Sequence, residues 1–276
     1  MSNRNPGHLV SDIRKVINSM KIRYPAAAGT FYPSQPEQLK KLIEKFLTQA
    51  RAPELTGKVK ALVVPHAGYI YSGTVAAYAY QLLKEMEMPP KKIVLLGPAH
   101  YFAITQPSFS SADIWKTPLA EIKTLKPPDL SEFNDAAHQP EHSLEVQLPF
   151  LQMVLKNFQI LPILINDESQ SKKLADNLAS IIDEQTLLIA SSDLSHFYPL
   201  REAEKIDALA NQYIPVLAVE KTKNEVEACG LAGILTAMHL AKKFNWQGQF
   251  LKHQTSYDAS GDASRVVGYG AYVFIK

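Results

Sequence analysis

Short apolar runs that stop at proline or glycine constrain the fold of this chain more than any other feature of its sequence. Residues 61–64 form such a run, and its length and its valines suit a strand. Pro65 ends the run because proline has no amide proton to donate to a strand ladder. Residues 92–96 repeat the pattern before a Gly-Pro stop, and residues 186–190 repeat it before a polar segment. We therefore expect several buried strands with abrupt ends.

Helical patterns separate these strands along the chain. Amphipathic spacing and helix-start signals predict helices at 35–50, 74–86, 130–137, 141–157, 169–183, 200–217 and 226–243. A further strand is expected at 158–165, two closing strands at 249–257 and 265–275, and short strands and loops at 102–128. Strands that alternate with helices predict an α/β fold, in which a sheet is covered by helices on both faces. The closing strands make the sheet mixed, although it should be largely parallel, at the centre of a three-layer αβα sandwich.

The domain organisation is expected to be simple. Residues 1–23 are predicted to be an N-terminal extension, in which residues 12–20 have the spacing of a short amphipathic helix. Residues 24–276 contain no linker-like stretch and are predicted to form one domain.

Charge and composition exclude several classes of function. The chain carries 29 basic and 27 acidic residues, so it has no electrostatic footprint for nucleic acid or a membrane surface. No apolar run approaches the roughly 18 residues that span a bilayer. The first 21 residues lack the apolar core of a signal peptide. Cys229 is the single cysteine, so no internal disulfide forms and a reducing cytoplasm is the expected location.

Titratable residues follow three of the predicted strands directly. His66 and His100 come after the first two, and Asp193 and His196 come after the third. Ligands in α/β sheets sit beyond the carboxyl ends of the strands, and neighbouring strands lie about 4.8 Å apart, so these side chains should converge. Asp193 and His196 are three residues apart, and one helical turn would place both on the same side.

Three more residues extend this candidate site. Glu141 and Glu145 are spaced i, i+4 at the predicted start of a helix, with His142 between them. Cys229 lies at a helix start, where the helix dipole favours the thiolate. Two histidines and one anion suit a mononuclear iron(II) or catalytic zinc site, and the anion could be Cys229, Asp193 or a glutamate.

Each of these residues also has a structural interpretation. Cys229 on its own suits a small buried hydrophobe, Asp193 suits the cap of a turn, and the two glutamates suit a helix N-terminus. The repeated placement of titratable residues after strands is what favours a functional site.

Six segments resemble the Memo family, which takes its name from a mediator of ErbB2-driven cell motility. They occur in the family's order and are residues 25–33, 64–69, 96–100, 141–145, 191–196 and 228–230. The resemblance implies a fold similar to class III extradiol dioxygenases. It also points to protein B of the AmmeMemoRadiSam system and so to a radical-SAM system partner.

The resemblance assigns roles to individual residues. It implies that His66, His100 and Cys229 bind iron(II) or copper. It further implies that His196 is an acid/base residue, with Asp193 beside it. The dioxygenases carry a carboxylate where this family has cysteine, and a thiolate is readily oxidised by activated oxygen.

Three hypotheses of function follow. The first is a metal-dependent redox protein of the oxidoreductase type with an unknown small-molecule substrate, in which Glu141, His142 and Glu145 support the ligands or shape the pocket. The second is a zinc-dependent hydrolase, with His196 or Glu145 as the base. The third is a non-catalytic metal-handling or peptide-binding protein that uses aromatic residues near the site. Those aromatic residues are Tyr69, Tyr71, Tyr101, Phe102 and Trp115.

Overall fold

A computed structural model describes residues 20–51, 53–84, 86–126 and 132–276 of the chain. The helix predicted at 12–20 therefore lies outside the described residues apart from Met20, as does the beginning of the helix predicted at 130–137. The domain boundary after residue 23 stays a prediction. Within the described ranges, every helix is too short or too polar to cross a membrane.

The strands of the described residues are β1 Ile22–Arg23, β2 Val59–Val64, β3 Lys92–Gly97, β4 Ser108–Phe109, β5 Ile114–Lys116, β6 Glu121–Thr124, β7 Glu132–Phe133, β8 Gln159–Leu164, β9 Thr186–Ser191, β10 His196–Tyr198, β11 Gln247–Thr255 and β12 Val266–Ile275. Their helices are α1 Pro36–Gln49, α2 Tyr69–Lys84, α3 Asp135–His138, α4 Gln147–Val154, α5 Ser171–Leu178, α6 Leu200–Tyr213, α7 Val219–Glu225, α8 Leu231–Lys243 and α9 Tyr257–Ser260. A short 3₁₀ turn, Glu168–Gln170, precedes α5.

One mixed sheet organises these elements. Its strand order is β1-β5-β6-β8-β3-β9-β2-β12-β10, with β11 also paired to β12 and β4 paired to β7 and β8. The four central strands β8, β3, β9 and β2 are parallel, whereas β12 is antiparallel to β2. The expectation of a mixed sheet with a parallel centre is confirmed.

Two hydrophobic cores lie on opposite faces of this sheet. On β2, Leu62 and Val64 belong to one core and Ala61 and Val63 to the other, because successive side chains of a strand point to opposite faces. Helices α1, α2 and α4 contribute buried residues to the first core, and α5, α6 and α8 contribute to the second. The predicted three-layer αβα sandwich is thereby confirmed.

The strand order places the candidate site. Strand β9 lies between β3 and β2 and is parallel to both, so all three strands end at the same edge of the sheet. His100, Asp193 and His66 follow β3, β9 and β2 at this edge.

Two local predictions near that edge are wrong. The helix expected at 141–157 is restricted to α4, Gln147–Val154, so Glu141 and Glu145 are not one helical turn apart. Pro149 is the third residue of α4, where an amide proton would have no partner within the helix, so the proline is tolerated at the start of this helix. The Glu141 carboxylate meanwhile accepts from the amides of His142 and Ser143, which keeps this segment in a turn.

The second wrong prediction is the helical turn joining Asp193 to His196. This segment is extended, because Leu194 N donates to Gly268 O and Gly268 N donates to Ser195 O. Pairing with β12 therefore replaces the local helical hydrogen bonds, and His196 begins strand β10.

Candidate metal centre

Three imidazole rings meet at the carboxyl edge of the sheet. One ring nitrogen from each of His66, His100 and His142 lies within 4.8 Å of the other two, so this group could hold a metal ion. The ring centroids of His66 and His100 are 5.2 Å apart, and those of His100 and His142 are 4.6 Å apart. His66 and His100 were predicted metal ligands, whereas His142 was predicted to lie in the pocket or to support the ligands.

Hydrogen bonds determine which nitrogen of His66 carries the proton. Ser191 Oγ has one proton, which it donates to the carbonyl of Ser143 at 2.6 Å. The same oxygen accepts from Gln147 Nε2 at 2.7 Å and contacts His66 Nδ1 at 3.0 Å. Since the serine proton is already used, His66 Nδ1 must be the donor. The lone pair of His66 is therefore on Nε2, the nitrogen available to a metal.

His100 is oriented by a carboxylate. Glu141 accepts from the amide of His100 at 2.5 Å and from His100 Nδ1 at 2.9 Å. Burial acts to raise the pKa of the Glu141 carboxyl, but hydrogen bonds from His100 and Ser143 outweigh it and hold the pKa at about 2. An ionised carboxylate behind an imidazole is the usual partner of a metal-bound histidine, and it leaves His100 Nε2 as the free lone pair.

His142 is held by stacking. Its ring stacks on Phe31 with centroids 4.1 Å apart and on His100 on the other side. Its Nδ1 lies 3.2 Å from Glu141 but outside hydrogen-bond geometry, so this buried nitrogen has no hydrogen-bond partner among the described residues. Burial lowers the pKa of His142 to about 4 and that of His66 to about 3. Both rings are consequently neutral near pH 7, which is the form that binds metals.

Cys229 lies against His66. Its Sγ is 3.2 Å from His66 Nε2, so the thiol faces the same nitrogen that the metal would use. Gly230 makes this approach feasible, because a Cβ there would lie 2.4 Å from the carbonyl oxygen of Ser191. Burial and the nearby Asp193 raise the pKa of the Cys229 thiol to about 12. The expected thiolate at the helix start is therefore wrong for the metal-free protein, and metal binding would have to displace the proton.

Asp193 stabilises the turn that carries His66. Its Oδ1 accepts from the amides of His66 at 2.7 Å and Ala67 at 3.2 Å. Burial raises the pKa of this carboxyl, although the two amides counteract the effect. Its placement is thus suited to holding the backbone around the site.

His196 lies beside the three-histidine group without belonging to it. Glu227 accepts from the amide of His196 at 3.2 Å and from the hydroxyl of Tyr198 at 2.9 Å. Phe197 between them has a φ of 66°, a left-handed conformation that is strained for a bulky residue. Glu227, which lies two residues before Cys229, therefore holds both neighbours of the strained Phe197, and one of these neighbours is His196.

Two predicted pocket residues lie elsewhere. Both oxygens of Glu145 are used by Arg23, by the amides of Ala26 and Ala27, and by the Tyr32 hydroxyl. The Tyr69 hydroxyl donates to the Val146 carbonyl at 2.6 Å, and its ring is buried in the first core. Neither makes a hydrogen bond to the three imidazoles.

Some residues that contribute to the site could not be recognised from the sequence. Gln147 and Ser191 control the tautomer of His66, yet each resembles an ordinary polar residue in the sequence. Phe31 was noticeable only as an aromatic within residues 25–33, one of the segments that resemble the family. Its stacking on His142 depends on the fold.

The donor set fits a late transition metal. Three imidazoles and a neighbouring thiol suit iron, copper or zinc, whereas magnesium and calcium prefer oxygen ligands. The His100 side chain is 30% exposed, so the group is accessible from solvent. The arrangement could therefore bind a metal and leave room for a further ligand, and the identity of the metal is left open.

Comparisons with known proteins agree with the resemblance noted in the sequence. The family model described as "Memo-like protein" matches residues 23–273. A "MEMO1 family protein" of Sulfurisphaera tokodaii is 37% identical over 280 residues, which covers 90% of this chain and 97% of that protein. A protein of the same description from Aquifex aeolicus is 36% identical, covering 93% of this chain and 100% of that protein. Another from Methanobrevibacter smithii is 34% identical, covering 92% and 99%.

Proposed function

This chain belongs to the Memo family, and from that premise we propose that it is a metal-dependent redox protein acting on a small molecule. The proposed ligands are His66, His100 and Cys229, and the proposed metal is iron(II) or copper. The observation that carries the proposal is the 3.2 Å contact between Cys229 Sγ and His66 Nε2, the nitrogen left without a proton by Ser191.

The proposed donors are soft or intermediate and disfavour the hard cations. A thiolate together with imidazoles selects iron, copper or zinc over the hard cations. Bound iron or copper would supply one-electron chemistry and a Lewis-acidic position for a substrate. His142 stacks against His100 and offers a third imidazole, so it is a fourth donor or a wall of the substrate position.

The remaining residues have supporting roles in this proposal. His196 is the proposed proton donor or acceptor, because an imidazole can act as either a general acid or a general base. Asp193 holds the backbone of His66 and Ala67 and so keeps the first ligand in place. Glu141 orients His100 from behind. A cytoplasmic location and a radical-SAM system partner belong to the same proposal.

Metal analysis tests the proposal. The protein would be purified anaerobically and its bound metals quantified, alongside His66→Ala, Cys229→Ser and His142→Ala variants. His239→Ala is the matched control, since His239 lies on α8 outside the three-histidine group. Near-stoichiometric iron or copper, lost in the first two variants and kept in the control, supports the proposal. Oxygen-dependent turnover of small molecules would then be screened.

Other outcomes would redirect the assignment. Loss of metal in His142→Ala but not in Cys229→Ser would make the third ligand an imidazole. Zinc together with ester, amide or phosphate cleavage would favour the hydrolase. Absence of metal in the wild type, with none taken up on reconstitution, would contradict a metal function.

An exposed aromatic rim favours partner binding as a second candidate function. Tyr101 is 55% and Phe102 43% exposed, and the ring of Tyr101 lies edge-on to His142 at 5.9 Å. Tyr71 is also exposed, whereas Tyr69 and Trp115 are buried. Aromatic side chains of this kind are enriched where proteins bind partners. Peptide binding that survives both His66→Ala and metal removal would support this candidate over the redox protein.

A further inference from the structure

A β-bulge interrupts the pairing of β10 with β12 beside the candidate metal centre. His196 pairs with Val267, and Tyr198 pairs with Val266, so two steps along β10 correspond to one step along β12. Phe197 is therefore an extra residue on β10. Bulges of this kind bend a strand and change the direction of neighbouring side chains, and they are common next to active sites.

Phe197 adopts this conformation at a cost in free energy. Its φ of 66° is left-handed, which is strained for a bulky side chain. The ring is 60% exposed, so burial stabilises it little. The exposed Arg265 guanidinium lies 5.1 Å from the ring centroid, and a solvated contact of this kind offsets only part of the strain. Contacts made by the neighbouring residues must therefore keep the bulge in place.

The position of His196 matters because this imidazole lies near the three-histidine group. Burial, His100 and His196 each lower the pKa of His66, so His196 is within electrostatic range of the first proposed ligand. The ring of His196 also lies edge-on to the ring of Phe197, with centroids 5.6 Å apart. A change of backbone conformation at Phe197 would consequently move the imidazole next to it.

Glu227 holds the bulge from both sides. One carboxylate oxygen accepts from the amide of His196 at 3.2 Å, and the other accepts from the hydroxyl of Tyr198 at 2.9 Å. Hydrogen bonds to an ionised carboxylate are stronger than those between neutral groups. A single side chain therefore binds the residue before Phe197 and the residue after it.

The short segment that contains Glu227 also contains Cys229. The amide of Cys229 donates to the carbonyl of Asp193 at 3.2 Å, and the amide of Asp193 donates to Cys229 Sγ at 3.3 Å. The amide of Gly230 donates to Ser192 Oγ at 2.8 Å. Residues 227–230 are thus joined to residues 192–198 at two places, by the cysteine at one end and by Glu227 at the other.

We propose that Glu227 is a positioning residue, which holds the bulge at Phe197 and thereby fixes His196 relative to Cys229. This inference rests on the proposed function, in which His196 donates or accepts a proton and Cys229 binds the metal. The strain at Phe197 is the reason that Glu227 is needed. Without its two hydrogen bonds, residue 197 returns to a negative φ and His196 moves away from its place beside the metal centre.

Glu227→Ala tests the inference, and Glu225→Ala is the matched control. Glu225 lies two residues earlier and accepts from the hydroxyl of Tyr213 at 2.9 Å. Hydrogen exchange of the His196 amide would be followed by NMR on chelator-treated protein. The reaction of the His196 ring with diethyl pyrocarbonate would be followed by mass spectrometry. Glu227→Ala should speed the exchange roughly 10-fold or more, the effect of one hydrogen bond to a charged group, and should change the ring reactivity. Glu225→Ala should leave both at wild-type values.

A second substitution separates positioning from a general structural role. Glycine adopts a φ of 66° without strain, so the bulge in Glu227→Ala combined with Phe197→Gly no longer depends on Glu227. The reactivity of the His196 ring should return towards the wild-type rate, although its amide still exchanges fast. Glu227→Gln should also keep the wild-type reactivity, because its side chain can accept from the His196 amide and donate to the Tyr198 oxygen.

Two results would overturn the inference. One is wild-type exchange and ring reactivity in Glu227→Ala, and the other is an equal disturbance with and without Phe197→Gly. Phe197→Gly alone should not lower the melting temperature, because it relieves strain. A clear fall would contradict a strained bulge even if Glu227→Ala does not fold. All these measurements use metal-free protein. A wild type that binds no metal would therefore count against the proposed function, while the exchange and reactivity data still decide the role of Glu227.

Discussion

Arg23 and Glu145 form a completely buried ion pair that connects strand β1 to the segment containing His142. The side chains are 2% and 0% exposed, and the arginine also donates to the carbonyls of His138 and Glu141. Glu145 in turn accepts from the amides of Ala26 and Ala27. The pair therefore joins the start of the sheet, the segment that leads to Phe31, and the turn at the candidate metal centre.

Breaking this ion pair should destabilise the protein strongly. Glu145→Gln leaves the Arg23 guanidinium buried without its counter-charge, and such a change typically costs about 3–5 kcal/mol. The free energy of unfolding by urea would show this loss. Lys172→Ala, which breaks the exposed pair with Asp176, is the control and should have little effect. Equal stability of both variants would contradict the structural role of the buried pair.

The serine behind His66 should control metal affinity. Ser191→Ala removes the acceptor of the His66 Nδ1 proton and leaves the ring free to change tautomer. Loss of such a partner usually weakens metal binding by roughly 10–100-fold. Competition with a coloured chelator measures the affinity. Ser180→Ala, which removes an exposed hydroxyl, should bind like the wild type, and the same affinity in Ser191→Ala would disprove the tautomer argument.

A methyl group at residue 230 should displace the cysteine. Gly230→Ala places a carbon 2.4 Å from the Ser191 carbonyl, so the Cys229 segment must move away from His66. We expect lower stability and faster reaction of Cys229 with a thiol reagent in the metal-free protein. At Gly68 the nearest atom to an added Cβ is 3.7 Å away, so Gly68→Ala should be tolerated. Unchanged thiol reactivity in Gly230→Ala would mean that this close approach does not hold the cysteine in place.

Acid should destabilise the metal-free protein through buried histidines. Burial lowers the pKa of His138 from 6.5 to about 4, while its Nε2 hydrogen-bonds the Ser108 carbonyl. Between pH 6.5 and about pH 4, His138 is protonated in the unfolded chain and neutral in the folded chain. Stability should consequently fall as the pH drops through this window, by up to roughly 3 kcal/mol for this residue.

His138→Gln tests this pH dependence. The glutamine amide can replace the bond to the Ser108 carbonyl but does not titrate. Urea unfolding at several pH values, in the presence of a chelator, should show a shallower loss of stability between pH 6.5 and 4 than in the wild type. Parallel curves for the two proteins would exclude His138 as a contributor.

Prediction from the sequence succeeded where the signal was local. Residues 61–64 and 92–96 form strands with ends that proline and glycine dictate, and His66 and His100 follow those ends as expected. Prediction failed at residues 141–157, where apolar spacing favoured one long helix and the Glu141 carboxylate instead holds a turn. That turn is what brings His142 to the other two histidines.

The sequence by itself determined the long central strands, the covered and largely parallel sheet and two of the three clustered imidazoles, because these follow from periodicity and chain breakers within a few residues. Its six motif segments indicated the family. Only the tertiary structure decided that His142 joins the cluster and that Ser191 sets the His66 tautomer. Each of these depends on contacts between segments far apart in the chain. Such contacts arise from strand order and register, which leave no local pattern in the sequence.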